Sequence, residues 1–188
     1  MSAMSKAFTN ENAESPEDDF LQPYRSGELA LTSKNYTTPQ GYRRLVEERD
    51  QLTQTERPAV AAMASHAAAT SQQLDVQTHK RRLREIDWRI QYLQQRIDRA
   101  EVIDPAARKR VDQVFFGATV KYANGRGEER TVSIAGVEES DAARGLVSFV
   151  SPLGKALLRA SVGDVVSLQR PDGAEELEIL EVAYREIA

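Results

Sequence analysis

Residues 80–100 read KRRLREIDWRIQYLQQRIDRA. Within them Leu83, Ile86, Ile90, Leu93 and Ile97 recur three and four residues apart, Val76 lies one heptad upstream, and Ala100 extends the row. Such a row is a narrow apolar seam on a long helix, the seam of a coiled coil, and it buries itself against one partner helix. Between the seam positions stand Lys80, Arg81, Arg82, Arg84, Arg89, Arg96 and Arg99, faced only by Glu85, Asp87 and Asp98. The faces flanking the seam are therefore basic and open to an anion.

The partner helix lies upstream. Thr38 can cap a helix and Pro39 suits its first position, where the missing N–H costs nothing. From there Tyr42, Leu45, Leu52, Ala59 and Met63 form a weaker stripe, interrupted by Arg49 and Glu56, and Pro58 is expected to kink or loosen the helix. The pattern fades at Ala67, Ala68 and Ala69, and Thr70 with Gln73 resembles a capping box that starts the second helix. Two helices of about 40–45 Å at 1.5 Å per residue fold compactly as an antiparallel hairpin with its tip at Ala67, Ala68, Ala69 and Thr70. That register sets Leu52 near Leu83 and Ile86, and Leu45 near Ile90 and Leu93. His79 falls on the seam as a packed histidine.

Pro105 is expected to end the second helix, and the period then changes. Strands are expected over 116–123, 131–137, 146–150, 165–168 and 177–184, with a turn at Asn124-Gly125 and a short helix over 152–160. The expected architecture is α+β: a disordered acidic tail (1–36), an antiparallel coiled-coil hairpin (37–104), a linker (105–113), and an antiparallel β domain with one short helix (114–188).

Composition bounds the function. The 188 residues contain no cysteine, which excludes disulfides and thiolate chemistry, and the two histidines, His66 and His79, make a poor basis for a metal site. Neither a membrane-length apolar run nor a signal peptide is read, so a cytoplasmic protein without a membrane partner is expected. Net charge is -4, yet residues 35–111 carry fourteen bases against ten acids, so any nucleic-acid contact is local to the middle of the chain.

Several ordered segments carry a resemblance. Glu56-Arg57-Pro58, the run 80–87 (KRRLREID) continued by Trp88-Arg89-Ile90-Gln91-Tyr92-Leu93, Val102-Ile103-Asp104, Val114-Phe115-Phe116-Gly117-Ala118, and the run 151–158 (SPLGKALL) with Val162-Gly163-Asp164 stand in sequence order. Together they resemble the Gre transcript-cleavage factors of bacterial RNA polymerase, the GreB branch in particular. The resemblance spans about residues 37–184. It implies an FKBP-like C-terminal domain docking at the rim of the polymerase secondary channel, with the hairpin reaching down that channel as a monomer. It further implies that tip carboxylates help hold a second Mg²⁺, so that the polymerase active site cleaves its own backtracked RNA. On this reading the factor is an accessory, not an enzyme, and has no cofactor of its own.

The tip departs from the family pattern Gly-Asp-x-x-Glu-Asn-x-(Glu or Asp)-Tyr. Residues 59–79 read AVAAMASHAAATSQQLDVQTH, and Asp75 is their only carboxylate. Mg²⁺ is a hard ion that wants several oxygen ligands, and neutral His66, Gln72 or Gln73 anchor it poorly. Asp75 alone reads more readily as an early-helix acid favoured by the helix dipole than as a ligand. Weak or absent cleavage stimulation is expected, with authentic GreB-like cleavage as the alternative. By residue pattern alone the basic run is a solvated flank, whereas the resemblance turns Lys80, Arg81, Arg82, Arg84 and Arg89 into contacts for nascent RNA. It likewise makes Ser151, Pro152, Leu153 and Gly154 a docking patch, Leu157 being ordinary packing. A structural coiled coil with an unrelated partner, or a prolyl isomerase inferred from fold alone, are the remaining readings.

Overall fold

The computed structural model describes residues 35–70, 73–108, 112–171 and 173–187. The expected tail lies outside them except for Asn35 and Tyr36, which open a short strand, β1 (Asn35–Thr37). Helix α1 (Pro39–Gln51) follows as expected: Thr38 is its N-cap, its hydroxyl accepting from the Gly41 N–H at 3.0 Å.

The loosening expected at Pro58 takes a definite form one turn earlier. Residues Leu52–Glu56 make a π turn, closed by the Arg57 N–H on the Leu52 carbonyl, and α2 (Arg57–Ala69) continues from it. Proline has no N–H, and its ring clashes with the carbonyl four residues back; a π turn widens the backbone there and removes the clash. The extra residue also shifts the apolar stripe. Leu45 is buried and Leu52 half-buried, but beyond the turn the buried residues are Val60 and Ala67, while Ala59 and Met63 are exposed. The step from Leu52 to the next buried position is eight residues instead of seven.

Helix α3 (Gln73–Asp98) buries Ile86 and Leu93 completely. The expected capping box of Thr70 with Gln73 spans Ser71 and Gln72, which lie outside the described residues; the Thr70 hydroxyl donates to the carbonyls of His66 (3.0 Å) and Ala67 (3.3 Å) at the end of α2. Helix α3 stops well before Pro105, so Ala100 does not extend the seam. Instead β2 (Ala100–Val102) pairs in parallel with β1, and the Asn35 amide donates to the Arg96 carbonyl at 2.5 Å, satisfying one of the last helical acceptors. A short 3₁₀ turn (Pro105–Ala107) follows.

The sheet comprises β3 (Ala118–Asn124), β4 (Glu129–Ala135), β5 (Leu146–Ser148), β6 (Val165–Arg170) and β7 (Gly173–Tyr184), in the order β5-β4-β3-β7-β6. Pairs β3–β4, β3–β7 and β6–β7 are antiparallel, with a bulge at Lys121/Tyr122. The expectation of a wholly antiparallel sheet is corrected by β5, which runs parallel to β4 (Ser133 opposite Leu146, Ala135 opposite Ser148). Between them two 3₁₀ turns, Val137–Glu139 and Ala142–Arg144, carry the chain back, and Gly145 at φ 69° reverses it. Inward residues alternate along β3 (Ala118, Val120, Tyr122) and join Ile134, Leu168, Leu177 and Ile179 in one core. Helix α4 (Pro152–Leu157) closes that core with Leu157. Its N-cap, Ser151, accepts from the Gly154 N–H at 3.0 Å.

Candidate functional site: helical pair, tip and joint

Cross-helix ion pairs fix the direction of the helical pair. Arg89 donates to both carboxylate oxygens of Glu48 (2.7 and 2.9 Å), Arg82 to Glu56 (3.1 Å through Nε), and Arg57 to Asp87 (2.6 Å). From Glu48–Arg89 at one end to Glu56–Arg82 and Arg57–Asp87 further along, residue numbers rise on one side while they fall on the other, so α1 and α2 run antiparallel to α3. Hydrogen bonding to Glu48 raises the pKa of Arg89, as hydrogen bonding to Glu56 and Glu85 raises that of Arg82.

These pairs divide the basic run. Arg82 and Arg89 face the partner helix and spend their guanidinium groups there, while Arg81 meets Glu85 at 3.3 Å on its own helix. Lys80 and Arg84 are exposed and form no ion pair among the described residues. Five residues that look alike in sequence thus have different electrostatic surroundings.

At the tip, Ala67 is buried and Ala68, Ala69 and Thr70 are exposed. His66, Asp75 and His79 line one shallow depression with Ala62, Met63 and Ala67. His79 is half-buried there. Among the described residues no group of three His, Cys, Asp or Glu side chains could hold a metal ion. One carboxylate beside two imidazoles does not fit Mg²⁺, which prefers an oxygen octahedron.

At the other end of the helices is a buried joint that sequence reasoning missed. Glu139, 3% exposed, accepts from the Thr38 N–H (3.0 Å), the Thr37 hydroxyl (3.1 Å), the Gly136 N–H (3.1 Å) and the Thr38 hydroxyl. Beside it Glu138 accepts from the Tyr92 hydroxyl and lies 3.7 Å from Nε of Arg96, which is itself 2% exposed. Burial, then the bond to Glu138, pushes the Tyr92 phenol up from its ordinary 10.0. Tyr36 of β1 completes the joint, its ring 5.6 Å from both Phe116 and Phe149, which meet each other edge-on at 5.8 Å. The only sequence signals were Gly41, whose Cβ would fall 2.2 Å from Cδ of Glu139, and an adjacent acidic pair just after a strand.

The expected docking patch is only partly surface. Pro152 is exposed, Ser151 is half-buried, and Leu153 packs on the sheet core. Gly154 is buried, and a Cβ there would lie 2.2 Å from the Ser148 carbonyl oxygen, so its reason for being glycine is internal.

Two family models cover this architecture. Residues 35–102 match "Transcription elongation factor, N-terminal", and residues 108–184 match "Transcription elongation factor, GreA/GreB, C-term". The chain belongs to the GreA/GreB family of transcription elongation factors. Among relatives, "Transcription elongation factor GreB" of Neisseria meningitidis serogroup A is 44% identical over 162 residues, covering 85% of this chain and 99% of that protein. GreB of Yersinia pestis is 37% identical (82% and 92% covered), and GreA of Helicobacter pylori strain 26695 is 37% identical (78% and 92% covered). A crystal structure of GreA factor homolog 1 of Thermus thermophilus aligns over 80% of this chain and 99% of its own, at 23% identity and a TM-score of 0.38. In this Gre factor Thr37, Thr38, Arg96 and Glu139, most of the buried polar side chains among the described residues, lie at the joint, and residues 59–79 carry Asp75 as their one carboxylate. No helix among the described residues is long and apolar enough to cross a membrane.

Proposed function

We propose that this Gre-family chain binds bacterial RNA polymerase through its secondary channel and modulates elongation, pausing or initiation while stimulating little or no transcript cleavage. The helical pair is the part that enters, the β unit docks outside with Pro152 at its contact surface, and nascent RNA is the neighbour of the shaft. Any RNA cleavage belongs to the polymerase active site and its own Mg²⁺.

The tip's donor set carries the reading. Two-metal phosphodiester chemistry needs carboxylates to hold a cation and neutralise charge on the attacking and leaving oxygens. Residues 59–79 offer Asp75 alone. The alternative, a GreB-like cleavage factor, is favoured by the 44% identity to a protein named GreB and assigns the work to Asp75 or to a polymerase carboxylate. The test is a stalled, backtracked polymerase complex with Mg²⁺, to which the full chain or its Asp75→Ala variant is added. Co-purification with polymerase and no acceleration of transcript shortening are expected; rapid shortening establishes the alternative, and its loss or survival in Asp75→Ala assigns the work to Asp75 or to a polymerase carboxylate.

A further inference from the structure

The sheet has one long open edge. Strand order puts β6 outermost, with β7 on one side and no strand on the other among the described residues. The opposite edge, β5, is three residues long and is bridged at Leu146 to Asp141. The Ile179 N–H donates to the Asp164 carbonyl at 2.9 Å, which makes Asp164–Ile179 a hydrogen-bonded pair of the β6–β7 ladder. Such pairs alternate, so Val166, Leu168 and Arg170 also face β7 with their backbone groups, and Val165, Ser167 and Gln169 turn theirs outward. These three are exposed, Val165 at 60%. Edges of this kind are ordinarily defended by lysine, proline or a bulge, and β6 has none of them. Its charges stand only at the ends, Asp164 just before the strand and Arg170 as its last residue.

We propose that β6 is the surface through which a second copy of this chain binds, the two β6 strands pairing antiparallel about a two-fold axis at Ser167. The backbone decides the register. Only with Ser167 opposite Ser167 do the outward-facing residues pair among themselves, Val165 with Gln169 of the second copy and Gln169 with its Val165. The same register sets Asp164 opposite Arg170 of the second copy, once on each side of the axis. Arg170 meets Glu175 through one terminal nitrogen at 2.6 Å, and a guanidinium has donors left for a second carboxylate. Nothing in the backbone required the charges to match. This self-complementarity favours a second copy over a strand of another protein, for which the ends of β6 hold no particular preference. One pair of six-residue strands is small beside the about 1,200–2,000 Å² of a stable complex, so the dimer is weak and forms at high concentration. The inference uses neither polymerase nor the tip, so it stands or falls separately from the proposed function.

Sedimentation velocity of the full chain, from micromolar to near-millimolar, is expected to show a weight-average coefficient that rises with concentration. Ser167→Pro removes an outward N–H that β7 does not use, a place where an edge strand tolerates proline. It abolishes the rise while the urea midpoint stays close to that of wild type. Arg170→Gln weakens the dimer by about 2- to 30-fold, the loss of two symmetric surface ion pairs. The sharpest readout is covalent. The chain has no cysteine, so Ser167→Cys introduces a single thiol. In a hydrogen-bonded antiparallel pair the two Cα atoms lie about 5.5 Å apart, within disulfide range. Oxidised glutathione is expected to convert this variant to a disulfide-linked dimer and to leave Ser65→Cys, at an exposed position of α2, monomeric. A chain monomeric throughout, self-association untouched by Ser167→Pro, or equal cross-linking of Ser65→Cys overturns the proposal; the first of these leaves β6 to a strand from another protein.

Discussion

Replacing Glu139 by alanine tests the joint. The carboxylate accepts from Thr38 N–H, Gly136 N–H and the hydroxyls of Thr37 and Thr38, in a place where Thr37, Thr38 and Glu139 are each at most 3% exposed. Each buried donor left without an acceptor costs about 1–3 kcal/mol. The hydroxyls can rotate and a water can enter the vacated space, so we expect a net loss of about 3–5 kcal/mol. Urea denaturation should show this as a fall in midpoint at unchanged m-value. A sharper version adds Gly41→Ala. In the wild-type background its Cβ would sit 2.2 Å from Cδ of Glu139, and overpacking of this kind costs about 1–3 kcal/mol. In the Glu139→Ala background that space is empty, and alanine is the better helix former by about 1 kcal/mol. Gly41→Ala should therefore change sign, destabilising the first protein and stabilising the second, with a coupling of about 2 kcal/mol or more. If the two substitutions add, or if Glu139→Ala lies within about 1 kcal/mol of wild type, the carboxylate is not what fastens the helices to the sheet.

Two further outcomes follow from the geometry. Deleting Gln54 removes the extra residue of the π turn but returns Pro58 to a regular helix, at a cost of about 3 kcal/mol; combining the deletion with Pro58→Ala should recover most of it. Equal losses in both proteins, by urea midpoint, would disconnect the π turn from the proline. The phenols of Tyr92, Tyr122 and Tyr184 are all raised, chiefly by burial. Above pH about 10 the unfolded chain releases these protons and the native chain keeps them, so the stabilisation is full below pH 10 and is lost as pH rises toward the native values. Tyr92→Phe should flatten the alkaline slope by less than about 1.4 kcal/mol per pH unit, the limit for one proton, since the ring is only half-buried. An unchanged slope in denaturation curves between pH 9 and 11 would refute this.

Much of the helical pair was legible because periodicity reports burial. Ile86, Leu93 and Leu45 were read as inward and are. Beyond Leu52 the same method misplaced the stripe at Ala59 and Met63, since a seven-residue step cannot show that one residue is absorbed by a π turn. Strand β5 was found near its place but not its direction, which depends on how the two 3₁₀ turns spend the connection. The lone carboxylate of the tip could be counted directly. The sorting of Arg82 and Arg89 from Arg84 could not, because it depends on which acids of α1 and α2 come opposite each residue of α3. Glu139 stayed hidden for a related reason: Thr37 and Thr38, which bind it to the helices, lie 102 and 101 residues upstream and come to it only once the chain has folded back.

That pairing has a consequence for how such a factor can vary. The chain enters the helices through β1 and leaves them through β2, and the two strands are zipped side by side at the base. Among the described residues the far end shows no such strand pairing, and α2 packs on α3 there. Segment 59–79 can accordingly be lengthened, trimmed or recharged as an exchangeable cassette, leaving the foundation that anchors it undisturbed.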